Sequence, residues 1–308
     1  HYPRVNTLSS HSAYVKVAEG CQHNCAFCII PAIRGKLRSR SISSVVAEIK
    51  ALTENGVKEI NLIAQDLAAY GRDRKDGADL LSLLKELVAI DQLKWIRLLY
   101  MYPENITDEF LEFFAKEEKL VKYLDIPVQH ASNKLLTSMN RGVTRETIEG
   151  IITKLRNKIP QMAIRTSVMV GFPGESEEDF SELLNFVQKM KIDHLGCFIY
   201  SKEEGTVAAR MPNQINEETK RARQEMIMAN QKEISCENLS KLVGTTREVM
   251  IEKREDSDEN LWQGRLSTQA PEVDGIVYVK SKNKELNPGN FCSVKITKAE
   301  DYDLRAEL

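Results

Sequence analysis

Apolar residues along this chain come in short dense runs separated by longer amphipathic stretches. Six runs read as strands: YVKVAEG (14–20), EINLIAQD (59–66), WIRLLYM (95–101), YLDIPVQH (123–130), AIRTSVMVGF (163–172) and HLGCFIY (194–200). They are near-continuously apolar, as strands covered on both faces are. Between them the period becomes helical. SSVVAEIKALTENGV places Val45, Val46, Ile49 and Leu52 on one face, with Ser43 or Ser44 as N-cap and Gly56 as stop. Helices are likewise predicted over 78–90, over 107–118 opened by Thr107, over 144–160 ending at Pro160, and over 176–191 opened by Ser176 and three acids. Strand and helix alternate to about residue 200. That predicts an α/β fold with a parallel sheet, open or curled into a barrel, with function at the strand ends.

A long polar helix is predicted over 216–244, with Met226, Ile227, Ala229, Ile234 and Leu239 as its apolar positions. Their sparseness predicts packing on one side only. Past Gly244 the texture changes to short strands, TREVMIEK, LWQGRLS, GIVYVKSK and FCSVKITKAE, separated by turn residues. They predict a small all-β barrel or sandwich. We therefore divide the chain into residues 1–236, the α/β part with its connecting helix, and residues 237–308, the β domain.

The formal net charge is −2, so the chain has no global basic footprint for nucleic acid. Residues 237–308 hold 11 Lys and Arg against 14 Asp and Glu, which makes the tail the acidic part. No apolar run is long enough to span a bilayer and no secretory leader is evident, which predicts a cytoplasmic protein with no membrane partner. The chain opens HYPRV without an initiator Met, as a fragment of a longer protein would. Cys197, Cys236 and Cys292 are scattered and expected to be small buried hydrophobes.

The other three cysteines stand together. Cys21, Cys25 and Cys28 follow C-x3-C-x2-C in EGCQHNCAFCIIPAIRG, just after the first predicted strand. A structural zinc site normally takes four ligands, so His23 or a remote residue would have to supply the fourth. A redox pair at Cys25 and Cys28 leaves Cys21 unexplained. An iron–sulfur cluster suits a thiolate triplet, and three ligands on four irons leave one iron open.

The triplet resembles the signature of radical S-adenosylmethionine (SAM) enzymes, with Phe27 as the aromatic usual between the last two cysteines. CAFCIIPAIRGKLRSR, INLIAQDLAAYG, YPENITDE, DIPVQHAS, RTSVMVGFPGES and IYSKEEGTVAARMPNQ sharpen this into a resemblance to the methylthiotransferases. The resemblance implies a partial (β/α)6 parallel barrel followed by a small TRAM (OB-like) barrel. It implies a [4Fe-4S] cluster whose open iron chelates SAM, reductive SAM cleavage to a 5′-deoxyadenosyl radical, an electron donor as partner, and replacement of a C–H bond by C–S–CH3. The family's N-terminal domain, with three more cysteines and a second [4Fe-4S] cluster for sulfur delivery, has no counterpart here. The chain is therefore expected to cleave SAM without completing methylthiolation.

IAQDLAAYG and APEVDGIVYV resemble the RimO-type subfamily, which modifies an aspartate β-carbon of the twelfth small-subunit ribosomal protein, rather than the tRNA-adenosine subfamily. The acidic tail agrees, because RNA binding draws affinity from basic residues whereas a basic ribosomal protein suits an acidic surface. A non-catalytic iron–sulfur binding module is the reading from another class. By resemblance, Gln65 and Asp66 meet the SAM amino group, Gln129, His130 and Ser132 the ribose, Gly171 and its GFPGE turn the methionyl and adenosyl pocket, and Tyr200 with Ser201 the adenine edge. Arg165 is a candidate for the SAM carboxylate. Each has a plainer alternative as a turn, cap or packed side chain. Arg34, Lys36, Arg38 and Arg40 form a basic run that is either a solvated face or meets SAM or an acidic target. Glu252, Glu255, Asp256, Asp258 and Glu259 are expected on a solvated hairpin.

Overall fold

The computed structural model describes residues 10–256, 258–281 and 286–308, so the HYPRV opening lies outside the described residues. Six parallel strands form one sheet in the order β1 (Ser12–Lys16), β4 (Glu59–Ile63), β5 (Trp95–Leu98), β6 (Leu120–Asp125), β7 (Ala163–Val170) and β8 (His194–Ile199). A short antiparallel ribbon, β2 (Ala18–Glu19) with β3 (Arg38–Ser39), follows β1 and carries α1 (Ile30–Arg34) in its loop. The crossovers are α2 (Ile42–Glu54), α3 (Leu80–Val88), α4 (Asp108–Lys116), α5 (Asn133–Ser138), α6 (Arg145–Lys158) and α7 (Glu177–Met190). α8 (Glu217–Ser240) then leads to a closed barrel of β9 (Thr246–Arg254), β10 (Leu261–Leu266), β11 (Val277–Lys280), β12 (Phe291–Ala299) and β13 (Leu304–Glu307). The expected partial parallel barrel and small β barrel are both present.

Local chemistry explains most boundaries. Thr107 and Ser176 accept from the backbone N–H groups of Phe110 and Asp179, and Ser176 forms a capping box with Asp179. The α2 cap is Ser41, two residues before the expected start. α8 buries Ile227 and Ile234 but leaves Met226 half-exposed, and it runs on to Ser240, past the 236/237 division. β6 starts at Leu120, earlier than expected, because Lys122 interrupts its apolar run; it ends before Pro127, which has no N–H for a ladder.

The two domains interlock. Leu62, Leu98 and Leu124 face the helices in the main core, whereas Trp95, Tyr123 and Ala163 face inward and pack with Met250 and Ala270 of the C-terminal barrel. The loop 267–274 enters the N-terminal end of the curled sheet. Its Pro271 and Thr268 carbonyls accept from Tyr14 of β1 and bond His194 of β8, while Ser267 O accepts from Arg97. Beneath it, Glu59 is fully buried between Arg97 (3.0 Å) and Arg265 (2.5 Å), and Arg265 also meets Glu252 at 2.6 Å. Burial alone would raise the Glu59 carboxyl, but Arg265 and Arg97 outweigh it and hold it at about 2. Glu252, expected in solvent, is instead bonded to His11 and Arg265, because it lies on the side of β9 turned to the sheet.

Candidate active site

The three thiols lie at the other, C-terminal end of the sheet. Their loop is set by the ribbon: Cys21 N–H donates to Gly35 O (3.2 Å), and Gly20, at φ +79°, passes so close that a Cβ would sit 2.2 Å from Lys36 O. Glycine is required there. Ala26 is pinned by its N–H to Met139 O (2.9 Å) and by its carbonyl, which accepts from Ala208 N–H (2.8 Å). Phe27 packs beside it against a cluster containing Leu135, Met139, Phe172 and Tyr200. The triplet is thereby joined to the ends of β7 and β8.

All three cysteines are half-buried and free of disulfides. Burial pushes the Cys21 and Cys28 thiols up, and the neighbouring thiols push them further, so the three groups lie within electrostatic reach of one another. N–H donors converge on the sulfurs: the His23 amide on Cys21 (3.4 Å), the Ile30 amide on Cys28, and the Arg141 guanidinium on Cys25 (3.5 Å). Among the described residues no three His, Cys, Asp or Glu side chains gather closely enough to hold one metal ion. A zinc ion needs its ligands within about 2.3 Å of one centre, whereas a cluster spreads its thiolates over a larger body. Three spaced, mutually coupled thiols with N–H donors around them fit a cluster.

His23, inside the triplet, bonds Asp66 at 2.8 Å and stacks on Tyr102 with centroids 4.1 Å apart. Arg141 covers the same ring at 4.1 Å while reaching Cys25 and Pro127 O. A His23–Tyr102–Arg141 layer therefore clamps the thiol loop to the ends of β4, β5 and β6. The sequence offers His23 only as a possible fourth zinc ligand and gives no signal for Tyr102 or Arg141, since each of the three comes from a different loop.

The predicted SAM residues divide by location. Gln65 lies near Glu19 (3.4 Å), with its Oε1 buried and unpartnered. Asp66 is buried, capping a turn through Ala68 N–H (3.0 Å) and holding His23. Gln129, at φ +72°, bridges to β7 through its own backbone and leaves its side chain part-exposed. His130 and Ser132 are fully enclosed: His130 Nδ1 accepts from Ser132 N–H (2.9 Å), its Nε2 faces Glu175 (3.4 Å), and Ser132 Oγ donates to Asp179 (2.7 Å). Gly171, at φ +75°, gives room to Lys220, whose Cγ would lie 2.2 Å from a Cβ, and its N–H donates to Glu175. Glu175 in turn meets Arg223 at 3.1 Å, so the GFPGE turn is fixed by α8. Tyr200 is buried edge-on to Phe172 (5.6 Å), and Lys220 holds its carbonyl at 3.0 Å. Ser201 is exposed and bonds Glu203.

Arg165 finds a partner inside the protein. It occupies the N-terminal part of β7, below the thiol end, and pairs with Asp274 of the inserted loop. The charge that a buried strand arginine demands is supplied by the second domain. Two members of the basic run pair locally, Arg40 with Glu48 (2.5 Å) and Arg34 with Glu19 (3.7 Å), while Lys36 and Arg38 are exposed. A cavity of about 1010 Å³, lined by Trp95, Arg165, His194 and Asp274, lies in the domain interface rather than at the thiols.

Comparison with known proteins decides the family. The Radical SAM superfamily profile matches residues 15–187 and the TRAM domain profile residues 243–308. The ribosomal protein uS12 methylthiotransferase RimO of Citrifermentans bemidjiense is 47% identical over 306 residues, covering 99% of this chain and 68% of that protein. The RimO of Caldanaerobacter subterraneus subsp. tengcongensis is 49% identical, covering 99% and 69%. The chain belongs to the RimO family of radical SAM methylthiotransferases. RimO-family membership brings with it the use of a [4Fe-4S] cluster and SAM. Among solved structures, coproporphyrinogen III oxidase (HemN) from Escherichia coli, a radical SAM enzyme, superposes with a TM-score of 0.54 at 14% identity, covering 84% of this chain and 67% of that one. That likeness speaks for the fold alone.

Proposed function

We propose that this chain is the radical SAM and TRAM part of an enzyme that places a methylthio group on the β-carbon of an aspartate in ribosomal protein uS12. The observation that carries the reading is a free thiol triplet at the mouth of a curled six-strand sheet, in a chain 47% identical to a RimO over 99% of its length. Cys21, Cys25 and Cys28 would hold the cluster, leaving one iron open for SAM. When bound, the cluster supplies the electron that splits SAM.

The protein's residues set the surroundings. Arg141 and the backbone amides of His23 and Ile30 offset the negative charge that deprotonated thiols bring. Asp66 and Tyr102 hold His23, and so the loop, in place. Gln65, Gln129, Gly171 and Tyr200 are assigned to the SAM pocket, with Gln65 Oε1 as an unpartnered acceptor for an ammonium group. His130, Ser132 and Asp66 act as positioning residues, since their polar atoms already serve the loops that form the pocket.

Cys197, Cys236 and Cys292 lie in β8, α8 and β12 and supply no second triplet. We assign the second cluster and its sulfur delivery to a domain outside these residues. The partners are uS12 and an electron donor, and the compartment is the cytoplasm; among the described residues no helix is long and apolar enough to cross a membrane. The tRNA alternative has less support, because the TRAM tail remains acidic. The test is anaerobic reconstitution, followed by 5′-deoxyadenosine release and mass analysis of uS12 and tRNA after incubation with a full-length family member. Methylthiolated tRNA with unmodified uS12 refutes the substrate assignment, and absence of SAM cleavage refutes the chemistry.

A further inference from the structure

The carboxyl oxygens of the lumen do not all have hydrogen-bonding partners. Four carboxyl groups (Glu59, Asp125, Glu252 and Asp274) meet three guanidinium groups (Arg97, Arg165 and Arg265) and two imidazoles, His11 at 2.8 Å from Glu252 and His194 at 3.4 Å from Asp274. Glu59 takes Arg97 and Arg265, Glu252 shares Arg265, and Asp274 takes Arg165. Asp125 is left without a guanidinium hydrogen bond. It ends β6 on the same side as Val121 and Tyr123, both of which face the lumen, and only 5% of it is exposed. Its Oδ2 accepts the Tyr100 amide at 3.1 Å, while Oδ1 is buried with no hydrogen-bond partner. A buried carboxylate oxygen without a donor is costly, and such groups in native proteins call for an explanation.

The place of Asp125 suggests what the donor is. It is the uppermost of the four carboxyl groups, towards the thiol end. At Gly196 of β8 the Phe198 ring and the Arg165 guanidinium come within 3.5 and 3.8 Å of where a Cβ would stand, and Phe198, the next residue on that face, is 56% exposed. Tyr100 is 50% exposed and is held at φ +62° by its own amide bond to Asp125 and by its carbonyl, which accepts from Leu67 N–H. A bulky residue with left-handed backbone at a strand end marks a strained, over-determined position of the kind found at ligand clamps. Two exposed aromatic residues, Tyr100 after β5 and Phe198 in β8, thus lie on the strands towards the thiol end, with the unpartnered Oδ1 of Asp125 at the end of β6.

We propose that Asp125 is a specificity-determining residue, whose unpartnered carboxylate oxygen takes a Lys or Arg side chain flanking the target aspartate of the protein substrate. This rests on the uS12 reading. A cation satisfies Oδ1, and its aliphatic stem would lie against the exposed aromatic residues of this end, as long basic side chains lie on aromatic faces. Burial pushes the Asp125 carboxyl up to about 6 against the opposing Arg165 charge and Tyr100 amide, so desolvation outweighs the partners the free protein supplies.

The test is binding of labelled uS12 to the reconstituted protein by fluorescence anisotropy, with Asp125→Asn and with uS12 in which each Lys or Arg near the target aspartate is changed to Gln in turn. Asp125→Asn is expected to weaken binding about tenfold or more, the worth of a hydrogen bond to a charged group. One uS12 variant is expected to lose as much on the parent enzyme and nothing further on Asp125→Asn. Binding by Asp125→Asn within twofold of the parent, or an equal loss on every uS12 variant, overturns the proposal. Should Asp125→Asn misfold, the uS12 series on the parent decides: no Lys or Arg whose loss costs tenfold is likewise fatal. Absence of any parent binding refutes the uS12 reading and this inference with it.

Discussion

Replacing Arg265 by Met tests whether the two domains are one structural unit. The guanidinium donates to Glu59 Oε2 (2.5 Å), to Glu252 Oε1 (2.7 Å) and to Gln269 O (2.9 Å), and it is 2% exposed. Removing one partner of a buried ion pair costs about 3–5 kcal/mol, because the remaining charge is stranded. Glu59 keeps Arg97 at 3.0 Å and Ser12 at 2.9 Å, so we expect the lower end, about 3 kcal/mol, or a melting temperature lowered by about 5 °C. The variant Glu59→Gln should cost a similar amount, and the double variant should fall short of the sum by more than about 1 kcal/mol. The pH dependence follows from the sign of the shift. The folded Glu59 carboxyl at about 2 lies below its ordinary 4.5, so its contribution is full above about 4.5 and is lost as pH falls through about 2. Arg265→Met should flatten that acid limb. The two tryptophans make the assay specific, since Trp262 reports the C-terminal barrel and Trp95 the interface with Phe291. Melting of Arg265→Met within 1 °C of the parent, or loss of the Trp262 signal well before Trp95, would falsify the interlock.

Other expectations are simpler. Changing Cys21, Cys25 and Cys28 together to Ala should abolish iron uptake in anaerobic reconstitution, and retention of the parent iron content would remove the triplet from the site. Gly20→Ala should lose most of its iron while keeping its secondary structure by circular dichroism, since the Cβ strikes the Lys36 carbonyl in the ribbon only; normal loading would show that the ribbon tolerates strain. For Asp125, the folded carboxyl at about 6 lies above the ordinary 3.8, with burial as the main cause, the Arg165 charge and the Tyr100 amide opposing it and Asp274 adding to it. Stability is therefore lost as pH rises from about 4 through 6 and stays flat above. Asp125→Asn should gain up to about 3 kcal/mol at pH 8 and little at pH 3.5, and a uniform change across that range would contradict the shift. Glu255→Lys with Glu259→Lys, leaving the interface residue Glu252 intact, should weaken uS12 capture modestly, about 1 kcal/mol or less, and raise tRNA binding; tighter tRNA binding by the parent at matched salt would favour the tRNA subfamily.

Local rules carried the sequence reading far. The apolar runs and the Thr107 and Ser176 caps depend on neighbours a few residues away, and they located the helices and the sheet. The short elements escaped: α1 is five residues opened by Pro31, and β13 is four residues paired in parallel to β11, too brief to show a period. At the site the thiols were legible from spacing, but their clamp was not. His23 meets Asp66 across 43 residues and Arg165 meets Asp274 across 109. Nothing in a linear pattern distinguishes an arginine waiting for a cofactor from one waiting for another domain. Glu252 misled for the same reason, since an acid in a charged hairpin is usually solvated and here one strand face is not.

The loop 267–274 closes one end of the curled sheet, and so the barrel is a cup rather than a tube. Approach along the strand axes is then from the thiol end. A folded protein such as uS12 cannot pass through it and instead caps it, so a small molecule destined for the depth beneath must arrive first and leave last. On such a scaffold we expect an ordered turnover, with SAM bound before the protein and its remnants released after it. A large excess of the protein substrate should then slow the reaction by trapping spent cofactor under the cap.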